Sequence, residues 1–336
     1  MKKVLVTGGA GYIGSHTVVA LVERGYHPII VDDLRNSSLI ILEGLKKLCG
    51  DGFSFLSIDI CDKNILFSVF EDHGIQAVIH FAAYKSVGES CVVPLRYYQN
   101  NLIGLMNVLE ACQTFNVQKF VFSSSCTVYG EPNGRQVFEN TPKHLPESPY
   151  GFTKWMGEQI LEDLHRNTQP FNTLCLRYFN PIGAHPSGLI GELPVGIPNN
   201  LLPYITQTAA GIREYLTVFG NDYPTPDGTC IRDYIHVCDV AEAHVCALQH
   251  EGYVPLDVFN IGTGKGTSVL EMVETFNVVS GRELPYKLGD RRPGDITEIF
   301  ANVEKSEAEL GWKAQRTVEE ALRDAWNWEQ QLKQHD

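Results

Sequence analysis

Three glycines at every third position, Gly8, Gly11 and Gly14, constrain this chain more than any other feature. They stand between a short apolar run, Val4-Leu5-Val6, and a stretch of helical character that continues to Gly25. A strand that turns into a helix through residues without side chains leaves backbone N–H groups open at the helix N-terminus, where the dipole favours negative charge. The opening therefore reads as a βα unit whose turn can approach an anion closely. A plain tight turn would use glycine too, so the loop gains meaning only from its surroundings. The start, Met1-Lys2-Lys3, has the charge of a signal peptide, but the apolar run ends at Thr7-Gly8, short of the roughly seven residues such a segment needs.

Those surroundings repeat the pattern. Ile29-Ile30-Val31, Phe53-Ser54-Phe55-Leu56, Ala77-Val78-Ile79, Phe120-Val121-Phe122 and Thr173-Leu174-Cys175-Leu176 are short, β-rich and separated by helix-length segments. Strands buried on both faces of a parallel sheet read this way. The prediction is an α/β chain with a Rossmann-type, doubly wound parallel sheet and a smaller, loop-rich C-terminal lobe. Ser148-Pro149 offers an N-cap followed by proline at the first helical position, opening a helix through about Arg166. After Asn180 the sequence turns Pro- and Gly-rich through Gly228, and then a helix from Asp239 to His250 and a strand from Val254 to Ile261 suggest a return to the main sheet. The expected division is 1–184, with 234–262 returning to it, as the dinucleotide-binding domain, and 185–233 with 263–336 as a substrate lobe. No internal repeat is visible.

Composition closes off several classes. With 43% apolar and 20% charged residues the chain is a folded globular protein of 336 residues. A formal charge of -13 argues against nucleic acid or anionic membrane as partners, so an anionic ligand has to be met by local cations and helix N-termini. Nine cysteines without a Cys-x-x-Cys pair fit reduced thiols and a cytoplasmic location. His236-Val-Cys238 and His244-Val-Cys246 gather four potential metal ligands, but residues two apart on a helix point roughly 200° apart, so these are read as packing residues and no metal is expected.

Asp32 ends the second strand about twenty residues past the glycines, where a carboxylate accepts hydrogen bonds from an adenosine ribose and repels a 2′-phosphate. NAD is thereby favoured over NADP, with Arg35 the one neighbouring cation that speaks for the latter. Asp59, just past the third strand, is placed to reach the adenine.

Tyr150 and Lys154 are four residues apart in the first turns of the helix opened by Ser148-Pro149 and share a face. Spacing alone decides little. Ser125, at the carboxyl end of the Phe120 strand, adds weight because ligands of open α/β sheets bind at that edge. A lysine ammonium and a positive nicotinamide would lower the pKa of Tyr150 from about 10 and let it take a hydroxyl proton, with Ser125 relaying.

With these pieces in place the chain resembles the extended short-chain dehydrogenase/reductase superfamily and, within it, the UDP-glucose 4-epimerase (UDP-galactose 4-epimerase) family. The likeness runs nearly end to end. It rests on Gly8-Gly9-Ala10-Gly11-Tyr12-Ile13-Gly14-Ser15, Ser123-Ser124-Ser125-Cys126-Thr127-Val128-Tyr129-Gly130, Ser148-Pro149-Tyr150-Gly151, the Arg177 to Pro186 segment, Gly196-Ile197-Pro198-Asn199-Asn200 and the Arg232 to Val237 segment. The resemblance implies that Tyr12, Ile13, Asn36, Ser37, Asp59, Ile60, Phe81, Ala82, Ala83, Lys85, Asn100, Ser123 and Tyr178 join the NAD site. It also implies a homodimer.

Within the superfamily the dehydratases carry an Asp-Glu pair after the serine, and the decarboxylases a Glu; here those positions are Cys126 and Thr127. A 4-keto sugar would then have one fate, to turn over and take the hydride back on its other face. Arg232 and Arg292 are the cations assigned to a substrate diphosphate. The resemblance places Phe179, Asn180, Asn200, Leu201, Phe219 and Tyr234 around sugar and uracil, and Asp295 on the uridine ribose. It places Ile299 on the sugar pocket, which predicts that UDP-N-acetylhexosamines are accepted at least weakly. The rival expectations are an epimerase for another UDP-sugar, a dehydrogenase that exchanges NAD with solvent, and an NAD-binding regulatory protein without chemistry.

Overall fold

The computed structural model describes residues 2–168, 171–251, 255–292 and 294–333. Its centre is a seven-stranded, wholly parallel sheet. In chain order the strands are β1 (Lys3–Thr7), β2 (His27–Val31), β3 (Ser54–Leu56), β4 (Ala77–His80), β5 (Lys119–Ser125), β6 (Asn172–Tyr178) and β7 (Leu256–Ile261). Across the sheet they run β7-β6-β5-β4-β1-β2-β3. The chain thus winds one way from β1 to β3 and the other way from β4 to β7, which opens a crevice beside β1 at the carboxyl ends. Six of the seven strands are the predicted ones. The seventh, β7, is the predicted return of the chain, with its Val254 start outside the described residues.

Both faces are covered. On one, helices α1 (Tyr12–Glu23) and α3 (Val237–Gln249) pack on each other and on Val4, Val6, Ile30 and Leu174, all buried. On the other, Leu66, Phe70, Val108 and Leu161 close over Leu5, Ile29 and Phe120. Each such side chain fully buried is worth about 1.5–3 kcal/mol, which fixes the strand ends that carry the site. Helix α2 (Pro149–Asn167) begins where the sequence placed it, with Ser148 Oγ accepting from the Gly151 N–H at 3.1 Å.

The remaining chain forms a lobe with its own core of Leu202, Ile205, Val218, Met272, Phe276, Leu322 and Trp326. It contains a helix over Leu201–Ala209 that Pro-Gly-rich sequence concealed, and beside it Asn180–Ile182 pairs with Tyr234–His236. Asp233, fully buried, ties the turn after β7 to the Glu298–Ala301 strand: it accepts from Thr263 N (2.8 Å), Thr263 Oγ1 (2.7 Å), Gly264 N (3.0 Å) and Ala301 N (3.1 Å). No helix among the described residues is long and apolar enough to cross a membrane.

Candidate active site

A cleft of about 1340 Å³ runs from the glycine turn after β1 to the lobe. That exceeds the 300–1,000 Å³ typical of a site for one small molecule. Every sequence-predicted site residue lines it except Ile299.

At the glycine end, Gly8 has φ +71°, and a Cβ there would stand 2.7 Å from Ala82 N; a Cβ on Gly14 would stand 2.3 Å from Gly8 O. Only glycine lets β1, α1 and the segment after β4 meet this closely. Helix α1 starts at Tyr12 with Gly11 as an N-cap that offers no side chain, and its first turn holds no acidic residue. Its leading N–H groups and positive dipole end are therefore left to a ligand. Asp32 takes Ala10 N on Oδ2 (3.1 Å) and Leu34 N and Ser37 Oγ on Oδ1 (2.9 Å each). Burial raises its pKa, against those three hydrogen bonds. Arg35, the cation that spoke for a 2′-phosphate, pairs with Asp33 at 2.5 Å and with Asp59. Two carboxylates already neutralise it.

At the middle, Lys154 is 5% exposed and its Nζ donates to Ser123 O at 2.6 Å; burial brings its pKa down to about 8. Tyr150 departs from the expectation. Burial pushes its phenol up to about 12, Cys126 adds to the rise, and a hydrogen bond with Ser125 opposes it. The physical reason is burial: desolvation of the phenolate outweighs the Ser125 hydrogen bond. The protein's own residues do not supply the acidity that the sequence reading expected. Ser125 Oγ also accepts from Thr127 N at 3.2 Å.

Helix α2 is held to the strand ends by a buried network. Ser124 Oγ donates to Glu158 Oε1 (2.6 Å), Arg177 grips both Glu158 oxygens (2.8 and 2.7 Å), and Arg177 Nη1 donates to Tyr129 OH (2.9 Å). Burial acts to raise the Glu158 pKa, but the Arg177 fork and Ser124 hold it below the ordinary value. The carboxylate stays charged and the helix that carries Tyr150 and Lys154 stays fixed.

At the lobe end, Arg292 grips Asp295 through Nε (2.9 Å) and Nη2 (3.1 Å) and lies 5.0 Å over the Phe219 ring, while Arg232 approaches Asp295 at 3.9 Å. Glu192, which the sequence reading missed, lines the same cleft, as does Thr127, which it named only for lacking a carboxylate. Glu192 Oε1 joins Lys85 Nζ (2.8 Å) to Asn200 Nδ2 (2.6 Å), and its Oε2 is buried with no hydrogen-bond partner among the described residues. Thr127 carries a buried hydroxyl, likewise without a partner among the described residues. No spacing signals either one, since Glu192 is a lone acid in an irregular segment.

Ile299 requires a correction. It is 3% exposed and packs in an apolar cluster with Val128, Tyr129, Val137 and Phe179, so it backs Phe179 rather than lining the cleft. Its bulk therefore gives no direct account of which sugars enter. His236, Cys238, His244 and Cys246 form no metal site: among the described residues no group of three or more His, Cys, Asp or Glu is placed to hold an ion.

A family model described as GDP-mannose 4,6 dehydratase matches residues 5–325. A UDP-glucose 4-epimerase of Bacillus subtilis is 53% identical over 327 residues, 97% of this chain and 96% of its own. The chain belongs to the UDP-glucose 4-epimerase family. UDP-glucose 4-epimerase 2 of Arabidopsis thaliana is 50% identical over 332 residues, covering 97% and 95%. Among solved members of the family, the one from Stenotrophomonas maltophila, with bound NAD and formylated UDP-arabinopyranose, superposes with a TM-score of 0.97 at 46% identity over both whole chains. That from Bifidobacterium longum, in complex with NAD+ and UDP, gives 0.95 at 44% over 98% of each. The dehydratase description is that of the broad model; at the positions after Ser125 this chain carries Cys126 and Thr127, and burial pushes the Cys126 thiol up to about 12.

Proposed function

We propose that the chain interconverts UDP-glucose and UDP-galactose by inverting C4 of the hexose, with NAD held tightly along the glycine end of the cleft. The observation that carries this reading is the placement of Ser125, Tyr150 and Lys154 midway along one continuous cleft, between an open helix N-terminus and a pair of arginines. The residues fit the dinucleotide. The N–H groups at Tyr12 and Ile13 would meet its pyrophosphate, and Gly8 and Gly14 leave the room that side chains would fill. Asp32 takes the ribose hydroxyls. Asn36, Ser37, Asp59, Ile60, Phe81, Ala82, Ala83, Lys85, Asn100, Ser123, Lys154 and Tyr178 complete the cradle.

NAD, when bound, supplies the hydride acceptor and donor, and a positive charge close to Tyr150. Tyr150 takes the proton of the 4-hydroxyl with Ser125 relaying, and returns it after the 4-keto sugar has turned over. A phenol that burial holds near 12 waits for that neighbouring charge before it acts as a base. Cys126 and Thr127 offer no carboxylate to expel water, so the keto sugar is reduced again. Arg232 and Arg292 hold the diphosphate, Asp295 the uridine ribose, and Phe179, Asn180, Asn200, Leu201, Phe219 and Tyr234 surround sugar and base. We assign 1–184 with 234–262 to cofactor binding, and 185–233 with 263–336 to the substrate. The protein acts as a cytoplasmic homodimer, a reading supported by its reduced-thiol composition and by exposed Val92 (80%), Leu95 (72%) and Met106 (47%) on neighbouring helices.

Purified protein incubated with UDP-galactose, with and without added NAD, tests the assignment. UDP-glucose should form at the same rate in both, with no NADH appearing in solution. Stoichiometric NADH would indicate a dehydrogenase, and absence of any product would refute catalysis on this sugar.

A further inference from the structure

Behind the cleft wall, His244 of α3 is fully buried and touches two residues that the cleft exposes. Its ring lies 4.6 Å from that of Phe81, just past β4, and 5.3 Å from that of Tyr178, the last residue of β6. Strand β5, with Ser123 and Ser125, runs between them. One side chain therefore backs the ends of three adjacent strands at the point where Lys154 binds Ser123 O.

The hydrogen bonds fix how each atom acts. His244 Nδ1 is 2.8 Å from Val240 O, which can only accept, so Nδ1 carries the hydrogen and Nε2 keeps a lone pair. Tyr178 OH is 2.6 Å from Nε2, and its hydroxyl is the donor. Burial lowers the His244 pKa to about 4, which preserves this neutral tautomer at ordinary pH. With its proton committed, the Tyr178 oxygen has only lone pairs left, and Ser123 bonds to the same side chain.

We infer that His244 is a positioning residue for the reaction: it holds Tyr178 so that its oxygen meets a group in the cofactor end of the cleft only as an acceptor, and clamps Tyr178 and Phe81 in place. The chemical class so selected is a hydrogen-bond donor, such as a carboxamide NH₂. This rests on the function proposed above. In sequence His244 had only the look of a packing histidine, and it does not itself line the cleft.

Glutamine can place its carbonyl oxygen where Nε2 stands and asparagine its amide where Nδ1 stands, so the two variants separate bonding to Tyr178 from mere polarity. His244→Asn and Tyr178→Phe should each lower kcat for UDP-galactose on the order of tenfold, with KM moved less than about twofold. His244→Gln should stay within about threefold of the parent. The double variant His244→Asn/Tyr178→Phe should be no slower than either single change. Losses that multiply in the double variant, or a glutamine variant as slow as the asparagine one, overturn the inference. Should His244→Asn not fold, the nitrogen chemical shifts of histidine in the ¹⁵N-labelled parent decide: Nε2 must show the acceptor-type shift, and a protonated Nε2 defeats the claim. A parent without epimerase activity would instead defeat the proposed function, and would leave the nitrogen shifts to be judged separately.

Discussion

At the glycine end of the cleft the groups that line it are mostly backbone atoms and short side chains fixed at the ends of β1, β2 and β4. At the lobe end they are Arg232, Arg292 and Phe219, long side chains of which Arg292 is 54% exposed and already paired with Asp295. The first set needs no rearrangement to bind and loses little entropy in doing so; the second has to trade an internal ion pair for a ligand's charge. One end is suited to keeping its ligand over many turnovers, and the other to exchanging it. Tyr150 sits between, with its chemistry dependent on what the rigid end holds.

The contrast can be broken at four points. Tyr150→Phe removes the proton acceptor and should lower kcat on the order of a thousandfold while the dinucleotide content of the purified protein stays unchanged; near-normal turnover would remove Tyr150 from the chemistry. Gly14→Ala forces a Cβ to within 2.3 Å of Gly8 O and should weaken dinucleotide retention on the order of a hundredfold, read by absorbance after gel filtration. Full retention would mean that the turn yields more easily than its packing suggests. Arg292→Ala should raise KM for UDP-galactose about tenfold with kcat within twofold, because the lost contact is half exposed and acts equally on bound substrate and transition state. A fall in kcat without a change in KM would place Arg292 in the chemical step instead. Ile299→Val, the smallest change, should cost about 1 kcal/mol of stability in denaturant unfolding and leave the ratio of rates on UDP-N-acetylglucosamine and UDP-glucose unaltered. A shift in that ratio would return position 299 to the control of substrate entry.

The rigid end was also the legible end. Alternating apolar runs, the glycine spacing, Asp32 and the Ser148-Pro149 cap each encode local structure by backbone geometry, and local signals survive in a sequence read alone. Ser125, Tyr150 and Lys154 could be brought together because a sheet edge and one helical turn place them. What was lost depends on contacts distant in sequence. Glu192 is tied to Lys85 and Asn200, and Asp233 to Thr263, Gly264 and Ala301. Ile299 has the hydropathy of a wall or of a backing residue, and only tertiary packing decides which. The acidity of Tyr150 depends on how deeply the fold buries it, and spacing carries no information about that.

Glu192 joins Lys85, on the segment after β4, to Asn200, at the head of a lobe helix, and Tyr12 reaches across to Gly183 O at 2.7 Å. The Lys85–Glu192 bond spans the boundary between the two ends, so a dinucleotide departing across it would have to sever it. A catalyst that borrows a hydride and repays it within one visit then becomes insulated from the surrounding supply of oxidised and reduced nicotinamide. Its speed would follow the concentration of sugar nucleotide and ignore the redox condition of the cell.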